Sequence, residues 1–393
     1  TIGLNDALPK CVHEDGLKKK RGAIRRVSVR NIMKKRYGII GCGMMGQEHL
    51  RNINLIDDAF TYAVYEPNPN MQKMAKALAP EAKFYDSLDK ILSDENIDCW
   101  LIVSPNHLHM EQLEQLASVP HKPILVEKPL FTNINHLERV QNFLVKYTAP
   151  VWVAMEYRYM PPIEELIRQQ TNVTGGIKML SIREHRFPFL PKVNNWNRFN
   201  KNSGGTFVEK CCHFFDLMRL ITKSNPTKIM ASGGQAVNHL KENYSGLIPD
   251  IWDHGYVIVE FENNMKAMLE LCMFAEGSKY QEEISITGEA GKVEAFIPGP
   301  ARFWPKKLGA PPISKIVVSP RDKSVLKELE VPVDKKILEA GDHNGSTFYQ
   351  HQKFMLVVDG KIPPEVTLDD GIWAVRMGHA AQASAETGQV VNF

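Results

Sequence analysis

The segment Tyr37–Leu50 reads YGIIGCGMMGQEHL, a short apolar run followed at once by Gly41-x-Gly43-x-x-Gly46 and a helix-compatible stretch. That is the strand, turn and helix order a dinucleotide-binding fingerprint requires. Gly41 permits the tight turn, Gly43 lets the backbone approach a pyrophosphate, and Gly46 lets the helix pack against the strand. Met44 and Met45 open that helix, whose N-terminus presents free N–H groups and roughly half a positive charge to an anion. Glu66 closes the next apolar run, about twenty residues beyond Gly46, where a carboxylate accepts from the adenosine ribose hydroxyls. The same carboxylate repels a 2′-phosphate, so NAD is expected ahead of NADP.

Two further groups give such a cofactor something to do. Glu127-Lys128-Pro129 closes a later apolar run, at the strand edge where open α/β sheets hold their ligands. An ammonium there donates to a substrate hydroxyl or carbonyl, and exchanges its proton if its pKa falls toward neutrality. Farther on, Gly204-Gly205-Thr206-Phe207-Val208-Glu209-Lys210-Cys211-Cys212-His213-Phe214-Phe215-Asp216 reads as one helix. On that reading Glu209 and His213 stand at i and i+4 on one face, so the carboxylate orients or polarises the imidazole. An imidazole titrating near neutrality takes a hydroxyl proton as general base. Adjacent Cys211 and Cys212 project about 100 degrees apart on a helix and read as packing residues, and no metal site is expected.

The elements around these residues follow from periodicity. From Tyr37 to about Ala154 strand-like runs alternate with helical patterns, the signature of a parallel sheet flanked by helices. Strands are expected at Tyr37–Ile40, at TYAVYE ending on Glu66, at Lys83–Tyr85, at Asp98–Val103, at 124–130 and at 151–155. The turn SPNHLH behind the fourth contains Ser104, Asn106, His107 and His109. Beyond Met155 the pattern changes to a short helix behind Pro161 and Pro162, a strand IKMLSIREHRF and an Asn- and Lys-rich loop. A run of strands from Lys228 to about Ala295 follows, with a hairpin turn at Asn263-Asn264, so the second sheet is expected to be mostly antiparallel. The proline-rich stretch 298–345 reads as irregular, and the chain closes with helices near Ser346–Val358 and Asp369–Thr387. The expected fold class is α/β, with a basic extension over 1–36, a doubly wound dinucleotide-binding domain over 37–155 and a substrate-binding and oligomerisation domain over 156–393.

Composition narrows the class further. The 393 residues are 43% apolar and 24% charged, with a mean hydropathy of -0.28, ordinary values for a water-soluble globular protein. The formal net charge of +3 comes from Lys18–Arg36, which holds ten basic residues and no acidic one. Without that arm the chain is mildly acidic, so neither nucleic acid nor a membrane surface is an expected partner of its body. The arm reads as an upstream extension or docking segment rather than a transit peptide, since Asp6, Glu14 and Asp15 precede it, and Met33 marks a natural start for the folded unit. Six cysteines, at 11, 42, 99, 211, 212 and 272, form no dense framework, which fits a reducing compartment such as the cytoplasm.

The glycine turn, Glu127-Lys128-Pro129, the GG-x4-K-x2-H-x2-D segment over 204–216 and the late GDHNGSTFYQHQKF together resemble the glucose-fructose oxidoreductase, inositol dehydrogenase and rhizopine catabolism family, Gfo/Idh/MocA. The resemblance spans Tyr37–Phe393 and implies a Rossmann domain followed by an α/β domain whose open sheet builds homodimers or homotetramers. It implies that Lys128 and His213 act at the hydroxyl being oxidised and that Glu127, Lys128 and Pro129 shape the nicotinamide pocket. Ser104, Asn106 and His109 are then expected beside the nicotinamide ribose, and Tyr157, Arg158, Trp196, Asn197 and His343 beside a cyclic polyol or sugar substrate. The family more often carries Asp where this chain has Glu209 and Glu66. The expected activity is oxidation of a secondary hydroxyl of an inositol or aldose. The alternatives are an NAD-dependent glycosidase working by transient oxidation and elimination, and a non-catalytic sugar or nucleotide sensor.

Overall fold

The computed structural model describes residues 33–393, so the basic extension expected over 1–36 lies, apart from its last residues, outside the described residues. Six strands form the first sheet: β1 (Lys35–Ile40), β2 (Ala59–Tyr65), β3 (Lys83–Tyr85), β4 (Cys99–Ile102), β5 (Ile124–Val126) and β6 (Val151–Val153). They pair in parallel in the order β3-β2-β1-β4-β5-β6. Helices α1 (Met44–Ile53), α2 (Pro69–Leu78), α3 (Leu88–Leu92), α4 (His109–Leu116) and α5 (Leu137–Lys146) make the crossovers. The strand order reverses between β1 and β4, which opens a crevice at their carboxyl ends, where Gly41 and Ser104 follow. β4 and β5 are buried on both faces, hence their uninterrupted apolar sequences. β5 stops at Val126, four residues short of the expected end, so Glu127-Lys128-Pro129 lies in the loop at the sheet's mouth.

After β6 come α6 (Pro161–Val173) and β7 (Ile177–His185), then the short helices α7 (Asn200–Ser203) and α8 (Thr206–Glu209) and the longer α9 (Cys212–Thr222). The strands β8 (Pro226–Gly234), β9 (His254–Phe261), β10 (Lys266–Cys272), β11 (Glu282–Gly288), β12 (Gly291–Ile297), β13 (Ser314–Pro320), β14 (Lys327–Val331) and β15 (Val391–Asn392) complete the second sheet with β7. Its order is β14-β13-β12-β11-β7-β10-β9-β8-β15, antiparallel except where β7 meets β10. The expected hairpin joins β9 to β10, with Asn264 at φ 64° in the turn. β13 and β14 correct the expectation of an irregular stretch over 298–345: the prolines stand outside the strand interiors, and β13 alternates buried and half-buried residues as a one-sided strand does.

α10 (Lys335–Ala340), α11 (Ser346–Val358) and α12 (Leu368–Thr387) close the chain. α12 starts on a capping box of Thr367 and Asp370 and ends at left-handed Gly388. α11 and α12 turn back onto the first sheet: Phe354, Met355, Ile372, Ala374 and Val375 share one core with Ile39, Leu101 and Trp152. A second core lies under the second sheet, where Ile182, Val257, Leu269 and Ile284 meet Phe214, Phe215 and Met218 of α9. No helix among the described residues is long and apolar enough to cross a membrane.

Candidate active site

A cleft of about 940 Å³ runs along the mouth of the first sheet, lined by the glycine turn, Glu66, Ser104, Asn106, Glu127 and Lys128 on one side and by Lys192, Asn194 and Trp196 on the other. Gly41 sits at φ +88°, and a Cβ on it would lie 2.6 Å from the Ser104 backbone. A Cβ on Gly43 would instead project into open space, with nothing within 4 Å, so this glycine faces the cleft and a side chain would fill it. Gly46 packs 3.1 Å, by its Cβ position, from the Gly41 carbonyl. α1 has no side-chain cap, which leaves its first N–H groups for an anion. Glu66 accepts from Cys42 N at 2.6 Å and from Asn68 N at 2.7 Å, tying the carboxylate to the turn. Asn106 is 6% exposed and its amide nitrogen has no partner among the described residues. A backbone cradle, a carboxylate at the end of β2 and an unpartnered amide are the features a dinucleotide needs, so these residues fit NAD.

Lys128 extends from the cleft to donate to the Glu209 carbonyl at 3.1 Å. Burial opposes its charge, but Cys212, Glu127, Glu209 and Glu156 around it hold its pKa above the ordinary lysine value. Lys128 is therefore a fixed ammonium donor, and the proton exchange that a pKa near neutrality would allow does not arise. Glu127 is itself held at the end of a buried chain, with Oε1 2.9 Å from His49, His49 2.8 Å from His351, and His351 2.9 Å from the Tyr37 hydroxyl.

His213 is 2% exposed and stacks on Tyr157, with ring centroids 4.1 Å apart at 12°. Burial lowers its pKa well below the ordinary histidine value, and Lys128, Lys210, His343 and Arg186 push it the same way. It is therefore a neutral imidazole, and its buried Nδ1 has no partner among the described residues. The expected side-by-side pairing with Glu209 is not what forms. The helix breaks between α8 and α9, where Cys211 N reaches back five residues to the Thr206 carbonyl at 3.3 Å. Glu209 Oε1 accepts instead from Lys192 at 3.3 Å, and its buried Oε2 has no donor among the described residues.

The remaining candidates divide. His343 comes to the site, its Nδ1 3.0 Å from Glu48 and 3.3 Å from Glu156, while the Thr347 hydroxyl stands 2.9 Å from Glu48 and 2.6 Å from Glu156 with one proton to give. Burial works against its charge, but Glu156 and Glu48 raise its pKa to about 9, so this compact cluster is an imidazolium between two carboxylates. Trp196 lines the cleft under the Lys192 ammonium, 4.5 Å from the ring centre. Ser104 lines it also and donates to Gln112 at 2.6 Å. Arg158 turns away: its Nε donates to Asp216 at 2.6 Å and its Nη1 to the Glu365 carbonyl at 3.0 Å. Asn197 is fully buried and donates to the Leu190 carbonyl at 3.1 Å, which shapes its loop. His109 is fully buried between two loops, its ring nitrogens 2.8 Å from the Pro129 carbonyl and 3.1 Å from the Ser104 carbonyl, of which a neutral ring donates to one, and it shows no face to the cleft.

Sequence reasoning missed Lys192, Lys210 and two glutamates. Lys210 Nζ lies 2.6 Å from the Tyr157 hydroxyl and 2.9 Å from Glu184, and burial lowers its pKa. Glu184 pairs across the sheet with Glu282, whose burial beside that like charge raises its pKa to about 7. Glu184 and Glu282 stand on β7 and β11 among alternating positions, and only their being acidic on the buried face of a strand could have marked them.

Residues 35–155 match the model of the oxidoreductase family's NAD-binding Rossmann fold, and residues 165–393 match that of its C-terminal alpha/beta domain. A myo-inositol 2-dehydrogenase of Thermotoga maritima is 23% identical over 370 residues, covering 91% of this chain and 98% of that one. A 2,7-anhydro-N-acetylneuraminate hydratase of Escherichia coli is 34% identical over 206 residues, covering 50% of this chain and 52% of that one. The WlbA dehydrogenase of Bordetella pertussis, solved with NADH and UDP-GlcNAcA, superposes with a TM-score of 0.68 at 17% identity, covering 92% of this chain and 99% of that one. With both of its domains matched, over the same glycine turn, Glu-Lys-Pro loop and histidine segment, the chain belongs to the Gfo/Idh/MocA oxidoreductase family.

Proposed function

We propose that this protein is an NAD-dependent dehydrogenase acting on a secondary hydroxyl of a cyclic polyol or sugar. The observation that carries the reading is a neutral His213 imidazole, its buried Nδ1 without a partner among the described residues, standing in the field of the charged Lys128 that lines the dinucleotide cleft. Bound nicotinamide supplies the hydride acceptor. His213 takes the hydroxyl proton as general base, and Lys128 donates to the same oxygen and favours the carbonyl that forms. Buried carboxylate oxygens without donors among the described residues, Glu209 Oε2 and Glu282 Oε2, accept from neighbouring hydroxyls of the ring, and polyols offer such donors in quantity. The exposed Met179, Tyr256, Ile258 and Met268 on the outer face of the second sheet are the surface on which two copies would pair.

The test is a spectrophotometric screen for NADH formation over inositols, aldoses, uronates and 2,7-anhydro-N-acetylneuraminate. Reduction of NAD by at least one polyol supports the reading, and neither reduction nor an altered product from any of them favours a sensor. The Escherichia coli hydratase supports a second reading, in which oxidation is transient and the hydride returns to the product. That version gives altered sugar with no net NADH, which product analysis on the same samples separates from simple oxidation.

Cofactor choice supplies a narrower prediction. Glu66 is nine-tenths buried and lines the cleft, so wild-type protein is expected to use NAD at higher kcat/KM than NADP. Glu66→Ser removes the repulsion of a 2′-phosphate and is expected to narrow that preference about tenfold or more. Parallel NAD and NADP titrations check it, and an unchanged ratio would count against Glu66 as the selector.

A further inference from the structure

The first sheet lines the cleft with backbone N–H groups and, among the described residues, gives it one lysine, Lys128, which donates one ammonium hydrogen to the Glu209 carbonyl and in the proposed reaction donates another to the substrate oxygen. The other lysines on the lining, Lys192 and Lys201, come from the facing segment of the C-terminal domain. Lys192 is the better placed. Its side chain is 27% exposed, its Nζ stands 4.5 Å from the centre of the Trp196 ring, and it reaches Glu209 at 3.3 Å. Trp196 faces His107 of the loop behind β4, with ring centroids 6.1 Å apart, so a tryptophan and a cation line the same cleft as Lys128 and Glu127, whose charges act on Lys192. The backbone around them is set firmly: Asn194 and Asn195 both adopt left-handed conformations, and Asn197 holds the Leu190 carbonyl.

We propose that Lys192 and Trp196 form a clamp, contributed by the C-terminal domain, on the nicotinamide half of the bound dinucleotide, and that Glu209 is the anchor that holds Lys192 in place. A dinucleotide is anionic at its pyrophosphate and presents flat rings and ribose hydroxyls elsewhere. An ammonium over an indole face meets both kinds of group. Glu209 then has two duties on two oxygens: Oε1 fixes the clamp and Oε2 stays free toward the substrate. Cofactor affinity becomes coupled to the segment that bears His213, through a residue four positions before it.

The inference rests on reading this cleft as the dinucleotide site, and calorimetric titration separates the two. With NAD and no substrate present, Lys192→Met is expected to raise Kd roughly tenfold, the effect of losing one charge-assisted contact. AMP, which occupies only the adenosine half, is expected to bind wild type and variant alike. Glu209→Gln is expected to weaken NAD binding as well, and the double variant to be little worse than Lys192→Met alone, since both disrupt one unit. Lys192→Arg keeps the charge and is expected to recover most of the affinity. If AMP fails to bind wild type, the cleft reading falls. If AMP binds and Lys192→Met leaves NAD affinity unchanged, or if the two substitutions add in full, the clamp is wrong.

Discussion

His213→Ala is expected to lower kcat about 10²- to 10⁴-fold while NAD still binds, the range for removing a positioned general base. The size of the effect follows from how the ring is held. It is almost fully buried, lies flat on Tyr157 and carries an Nδ1 with no partner among the described residues, so no neighbouring group there stands ready to take over its proton. Burial and four surrounding cations keep it neutral, which is the form a base must have. The sign of the pH dependence follows. Activity that needs the neutral imidazole is lost as pH falls through the folded pKa, and that pKa lies well below 6.5. The acid limb of kcat/KM assigned to His213 is therefore expected below the ordinary histidine range, and full activity persists to mildly acidic pH. Steady-state kinetics from pH 5 to 9 with the best polyol of the screen, alongside NAD titration of the variant, measure both. Turnover by His213→Ala within a few-fold of wild type would remove it from the chemistry.

The parts of this site that were legible in the sequence are those in which a local pattern dictates geometry. Gly41, Gly43 and Gly46 are read from spacing because the turn, the approach to phosphate and the helix contact are each made within a few residues. The alternation over 37–155 likewise fixes a parallel sheet, since each crossover is set by its own helix. What was not legible depends on partners far along the chain. A continuous helix over 206–222 was the natural reading of its composition, yet Lys210 and Cys211 unwind it, and Lys210 finds Tyr157 and Glu184 on separate elements. Tyr157 and Arg158 are neighbours in sequence and looked alike as substrate contacts. Tertiary pairing divides them: one stacks on His213, and the other is claimed by Asp216, 58 residues away. Lys192 lies in the Asn- and Lys-rich loop without a role read from its sequence, because nothing local announces that the first sheet leaves that side of the cleft open.

The pair that claims Arg158 leads to the largest stability effect. Arg158 is 9% exposed and Asp216 1%, and the guanidinium meets the carboxylate through two parallel contacts. Arg158 also lies 3.3 Å from Asp370, which bonds Arg219 at 3.0 Å, so the network ties the segment after β6 to α9 and to the first turn of α12. Asp216→Ala would leave the buried guanidinium with Asp370 at 3.3 Å and the Glu365 carbonyl but without its bidentate partner, and breaking a buried pair of this kind costs about 3–5 kcal/mol. The urea midpoint is expected to fall accordingly. Asp216 stands three residues past His213 on α9, so turnover should fall with it even where the protein remains folded. The control is Arg158→Met combined with Asp216→Leu. Replacing both ions by apolar groups of similar volume leaves no charge unpaired, and such exchanges are often neutral or stabilising. The double variant is therefore expected to be more stable than Asp216→Ala. If the single variant unfolds at the wild-type midpoint, the pair does not hold the elements together. If the double variant is no better than the single, the loss comes from packing rather than from an abandoned charge.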